Sequence, residues 1–81
     1  MIEVYTAKYC NYCRTALDLL FLEGYSYSVI DVTEDQEARA KLFEKSGCNT
    51  VPQVFFNDKF VGGCSELKEF QAAGVLKSLF S

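Results

Sequence analysis

Cys10-Asn11-Tyr12-Cys13 sets two thiols one helical turn apart, directly after the strand-like segment Ile2-Glu3-Val4-Tyr5-Thr6. An apolar segment of helical period follows, so the first cysteine is expected at a helix N-terminus, where unpaired N–H groups and the macrodipole favour a thiolate over a thiol. The second cysteine, three residues on, shares that helix face. It is placed to attack a mixed disulfide formed at the first sulfur and release the bound molecule as a thiol. Cys10 is therefore expected to be a nucleophile of low pKa and Cys13 the resolving thiol. A helix end contributes at most about 2 kcal/mol, roughly 1.5 pKa units. A strongly acidic Cys10 needs further help from Lys8, Arg14 or the N–H and S–H donors around it, Cys13 included.

The hydrophobic pattern supplies the rest of the frame. Tyr12 to Glu23 carries Cys13, Ala16, Leu17, Leu20 and Phe21 at helical spacing, and Gly24 stands where a helix ends. Tyr27 to Val32 reads as a second strand. Thr33-Glu34-Asp35-Gln36 has the form of a capping box opening a helix through Ala38, Leu42 and Phe43 to Gly47. Val54-Phe55-Phe56, an Asn57-Asp58 turn and Lys59-Phe60-Val61 predict a hairpin, closed by Gly62-Gly63. Ser65 is the expected cap of a third helix carrying Leu67 and Phe70, which Gly74 breaks before a last turn of Val75, Leu76, Leu79 and Phe80. Strands joined by a right-handed helical crossover lie parallel and a hairpin is antiparallel. The order β-α-β-α-β-β-α therefore predicts an α/β chain of thioredoxin-like fold, with a four-stranded mixed sheet flanked by helices.

At 81 residues there is room for one domain, 1–81. Half the chain is apolar, with seven Phe and five Tyr, which is a globular composition. A net charge of −3 with scattered Lys and Arg argues against a nucleic-acid surface, which needs clustered positive charge. No apolar run approaches the roughly 18 residues of a membrane span. Without a secretory leader the four cysteines are expected to be reduced, in a cytoplasmic monomer. With no histidine in the chain, a Cys–His protease mechanism is excluded.

Two further segments bear on binding. Thr50-Val51-Pro52 holds the only proline, just ahead of the hairpin, and a cis Val51–Pro52 bond there turns the Val51 backbone outward as a short edge for an extended peptide. Gly62-Gly63-Cys64-Ser65 is a glycine pair opening a helix, where bare N–H groups meet an anion such as a carboxylate. Taken alone, a glycine pair is more often a tight turn.

Together, in this order, strand, CxxC on a helix, TVP, hairpin and GGCS resemble a glutaredoxin over essentially the whole chain. The resemblance implies a small thiol transferase with glutathione as electron donor, reducing protein disulfides and protein–glutathione mixed disulfides, with ribonucleotide reductase as one family-level partner. It also implies that Tyr12, Thr50 and Pro52 line the glutathione site and that Val51 pairs its backbone with the cysteine part of the tripeptide. Gly63, Cys64 and Ser65 would hold the γ-glutamyl end, and Lys8 the glycine carboxylate, a role that Gln53 or Arg39 could share. The chain departs from the family at Asn11, where proline is usual, at Ala7, where a lysine is common, and at Ser65, where aspartate is frequent.

Other chemistries are weighed against this one. A glutaredoxin-like protein reduced by thioredoxin reductase would lack the GGCS segment. A [2Fe–2S] module held by Cys10 of two subunits and two glutathiones fits the loss of the inter-cysteine proline. A zinc site is disfavoured by one close cysteine pair and no histidine, and no resident metal is expected. Cys48 and Cys64 are expected to be inert or buried small hydrophobes rather than redox partners.

Overall fold

The chain's structure is a computed structural model that describes residues 1–80. Alternating buried and half-buried residues make β1 (Ile2–Thr6) the centre of the sheet. α1 (Asn11–Leu22) returns the chain to β2 (Tyr27–Asp31), which pairs parallel to β1 from Ile2 against Tyr27 to Thr6 against Asp31. α2 (Gln36–Ser46) leads to β3 (Gln53–Phe56), antiparallel to β1, and β4 (Lys59–Gly62) closes a sheet of order β2-β1-β3-β4. α3 (Cys64–Ala73) and the short α4 (Leu76–Leu79) complete the described chain. The mixed four-stranded sheet flanked by helices is the expected fold.

The sheet buries two unequal cores. On one face Ile2, Val4 and Val54 meet Ala16, Leu19 and Leu20 of α1, Cys64 and Leu67 of α3, and Leu76. On the other, Val32, Leu42 and Phe55 form a smaller cluster under α2, with Tyr5 edge-on to Phe55 at 5.4 Å between ring centroids. The larger core carries α1 and α3, the two helices whose N-termini frame the site.

Local chemistry explains the element ends. Asn57 and Asp58 both take positive φ, 50° and 69°, as a two-residue I′ turn between right-twisted strands requires. The end of α1 closes with Gly24 at φ 84° and Tyr25 N–H donating back to the Leu20 carbonyl. Two expected caps are corrected. Asp35, not Thr33, caps α2, its Oδ1 accepting from Ala38 N–H at 2.9 Å. Thr33 is instead drawn into the β1–α1 loop, where its Oγ1 accepts from Lys8 N–H at 2.7 Å. Ser65 is likewise not a cap: α3 begins two residues earlier than that cap would allow, at Cys64, with Gly63 at the N-cap. Glu66 Oε1 accepts the Gly63 N–H at 2.6 Å, because a side chain three residues into a helix reaches back to its cap.

Candidate active site

Cys10 is the N-cap of α1, in extended conformation at φ −101°, with its side chain in place of the oxygen of a serine or aspartate cap. Its Sγ accepts the N–H of Cys13 at 3.2 Å, so the first thiol sits on an orphan donor of the helix. Val51 follows from the other side of the site. The Val51–Pro52 bond is cis, as expected from the sequence, and the Val51 carbonyl lies 3.8 Å from Cys10 Sγ, within reach of a thiol hydrogen.

Cys13 is buried, only 3% exposed, while Cys10 is half-buried at the surface. Burial, reinforced by its hydrogen bond with Cys10 and partly opposed by one to the Ala7 backbone, pushes the Cys13 thiol up to about 12. The two sulfurs are thus unlike in access, and Cys10, Cys13, Cys48 and Cys64 are all free thiols. Tyr9, fully exposed at φ 61°, and Tyr12, mostly exposed, flank the first thiol as free aromatic surface.

Beside Cys10, whose Sγ lies 3.8 Å from the Val51 carbonyl, a groove of about 250 Å³ runs between Tyr12, Thr50-Val51-Pro52 and the start of α3 at Gly63, Cys64, Ser65 and Glu66. The glycine pair is a steric requirement of this approach. A Cβ on Gly62, whose φ is 148°, would sit 2.5 Å from Glu66 Cβ, and one on Gly63 would meet the Pro52 carbonyl at 3.1 Å. Seven residues expected at the site, Tyr12, Thr50, Val51, Pro52, Gly63, Cys64 and Ser65, therefore share one groove beside Cys10 and Cys13.

Lys8 does not line it. With its backbone N–H tied to Thr33, Lys8 borders a separate hollow with Asp31, Thr33, Glu34, Asp35 and Gln36. Hydrogen bonds from Thr33 hold the Asp31 carboxyl below its ordinary range. Arg39 is likewise engaged, its Nε donating to the Val32 carbonyl at 2.9 Å, and Gln53 is buried with its amide turned into the 48–50 loop. Conversely, Glu66 was not expected at the groove. The signal for it was an acidic residue at the third position of a helix opened by glycine, which the sequence places three residues after Gly63. Among the described residues no three His, Cys, Asp or Glu side chains converge as a metal site.

Thiol–disulfide exchange needs an accessible sulfur that can carry charge, and a second sulfur within one turn of it allows a protein disulfide to be resolved. On this sheet the arrangement defines a thiol–disulfide oxidoreductase of thioredoxin-like fold. The glutaredoxin family model matches residues 2–61, and the chain belongs to that family. It is 38% identical over 80 residues to a glutaredoxin of Pseudomonas aeruginosa, covering 99% of this chain and 95% of that one. It is 35% identical to glutaredoxin 3 of Escherichia coli, covering 96% and 94%. Among solved structures it superposes on a buckwheat glutaredoxin–glutathione complex with TM-score 0.87 and 32% identity, covering 98% of this chain and 74% of that one. Glutaredoxin from Brucella melitensis gives TM-score 0.86 and 39% identity, covering 98% and 86%.

Proposed function

We propose that this chain is a glutathione-dependent thiol transferase, acting on glutathionylated and disulfide-bonded proteins of the cytoplasm, with Cys10 as nucleophile and Cys13 as resolving thiol. The observation that carries the reading is the continuity of the groove. Its Val51 wall lies 3.8 Å from the thiol that caps α1, and its other end is a second helix N-terminus, that of α3. A γ-glutamyl tripeptide bound through its sulfur to Cys10 has its own cysteine backbone beside the Val51 edge. Its far α-carboxylate then reaches the free N–H groups at Cys64 and Ser65. Glu66 supplies the negative charge for the adjoining α-ammonium that Ser65 does not. The glutathione held by the similar buckwheat structure supports the same ligand here.

In the first step the Cys10 thiolate attacks the glutathionyl sulfur of a protein mixed disulfide. A Cys10–glutathione disulfide forms and the protein sulfur leaves, taking a proton. A second glutathione thiolate then attacks the bound glutathione. This releases glutathione disulfide and restores the Cys10 thiolate, so each turnover consumes one glutathione and joins it to the glutathionyl group taken from the protein. For a protein disulfide, Cys13 completes the reduction by displacing the protein thiol from Cys10, and the resulting Cys10–Cys13 disulfide is then reduced by glutathione.

NADPH consumption with a glutathionylated substrate tests the reading. Turnover with glutathione plus glutathione reductase, and none with thioredoxin reductase alone, is the expected result. Turnover with thioredoxin reductase alone would keep the dithiol chemistry and remove the ligand assignment.

A further inference from the structure

We propose that Gln53 is a positioning residue for the reaction at Cys10: its buried amide holds the 48–51 loop so that the Thr50–Val51 edge faces the nucleophile. The inference rests on the thiol-transferase reading above. Gln53 opens β3, shares a sheet face with Phe55 by strand alternation, and is 2% exposed. Both hydrogens of its Nε2 are committed to the loop behind it, donating to the Cys48 carbonyl at 2.9 Å and the Thr50 carbonyl at 2.8 Å. The amide orientation is fixed by this pair, since the reverse would press Oε1 against two carbonyl oxygens. Oε1 itself is buried without a partner.

A buried oxygen left unpaired is a cost that an apolar side chain of the same size would avoid. The amide is therefore in place for what its nitrogen does. Cys48 and Thr50 are exposed on a segment outside any helix or strand, where a loop would otherwise sample many conformations. Ser46 Oγ pins the other end of that segment, accepting the Cys48 N–H at 3.1 Å. Between these ties the chain has little freedom before Val51, whose carbonyl lies 3.8 Å from Cys10 Sγ. Cys10 itself is held independently, by the N–H of Cys13 on α1. Loosening the loop thus moves the groove wall without moving the thiol.

Gln53→Met removes both donors at nearly constant volume and gives the test. With glutathione and glutathione reductase as the reducing system, the KM for a glutathionylated peptide is expected to rise about 5- to 30-fold, the scale of losing two ordered hydrogen bonds, with kcat within about twofold. Alkylation of Cys10 by iodoacetamide, followed on its own peptide, is expected to stay within about twofold of wild type. Gln53→Asn, whose amide is one methylene too short to span both carbonyls, is expected to give an intermediate KM. It serves by the same criteria should the Met variant melt below assay temperature. An unchanged KM in a folded variant, or a parallel fall in Cys10 alkylation, overturns the proposal. Absence of glutathione-driven turnover by the wild type overturns the thiol-transferase reading and this inference with it.

Discussion

With a reporter thiol linked to Cys10 as a mixed disulfide and all external thiol removed, its first-order release by Cys13 will accelerate about tenfold per pH unit from pH 7 to 9. Attack requires the Cys13 thiolate. With the thiol pushed up to about 12, the ionised fraction is roughly one in 100,000 at pH 7 and one in 1,000 at pH 9. Part of that rise comes from the neighbouring Cys10 thiol, and the mixed disulfide cancels that part. Desolvation of the buried sulfur is the largest cause and is unaffected by the chemistry at Cys10. The group therefore stays above its ordinary value, and the logarithm of the rate keeps a slope near one until pH passes its true pKa. Stopped-flow release of a fluorescent thiol over this pH range reads the slope, with Cys13→Ser as the control that shows no release. A rate that levels off as pH approaches 9 would refute the reasoning, because it would mean that Cys13 ionises like an exposed thiol despite its burial.

Cys10→Ser will abolish turnover of protein–glutathione mixed disulfides, whereas Cys13→Ser will keep it, since glutathione can do what the resolving thiol does; loss of that activity in Cys13→Ser counts against the one-thiol route. Glu66→Gln keeps an acceptor for the Gly63 N–H but removes the charge beside the groove. It should raise the KM for glutathione about tenfold with little change in melting temperature, and an unchanged KM would remove Glu66 from the ligand site. Gly62→Ala forces a Cβ at φ 148° to within 2.5 Å of Glu66 Cβ. It should cost at least about 2 kcal/mol, a fall of about 10 °C in a domain of this size, measured by thermal melts; a melting point unchanged from wild type would mean that α3 yields.

Most of the frame was readable because its signals are local and strong. The alternation of Ile2, Val4 and Thr6, the helical spacing of Ala16 and Leu20, and the Asn57-Asp58 turn each specify an element within a few residues. The errors fell where a polar side chain had several backbone donors to choose from. Thr33 and Asp35 both qualify as caps of α2, and the choice was made by the β1–α1 loop, which took the Thr33 hydroxyl for Lys8 N–H. Ser65 lost its cap role to Gly63, two residues earlier, whose N–H is taken by the Glu66 carboxylate reaching back from the first turn of α3. At the site, the cysteines followed from their spacing, and the residues on either wall of the groove from the resemblance to glutaredoxins. That Lys8 borders a separate hollow while Glu66 lines the groove was not legible, since both depend on how two loops distant in sequence are tied together.

That Cys10 caps α1 through its sulfur links helix stability to oxidation state. A free cysteine sulfur is a better acceptor for the Cys13 N–H than a sulfur already bonded to another sulfur, so the reduced protein holds a cap that oxidation weakens. A cap contributes about 1 kcal/mol. Whatever stabilises the dithiol form raises the reduction potential, here by about 20 mV for this two-electron couple. The first turn of α1 thus acts as a small electrochemical bias, making the oxidised pair readier to accept electrons than the same two cysteines on an uncapped loop.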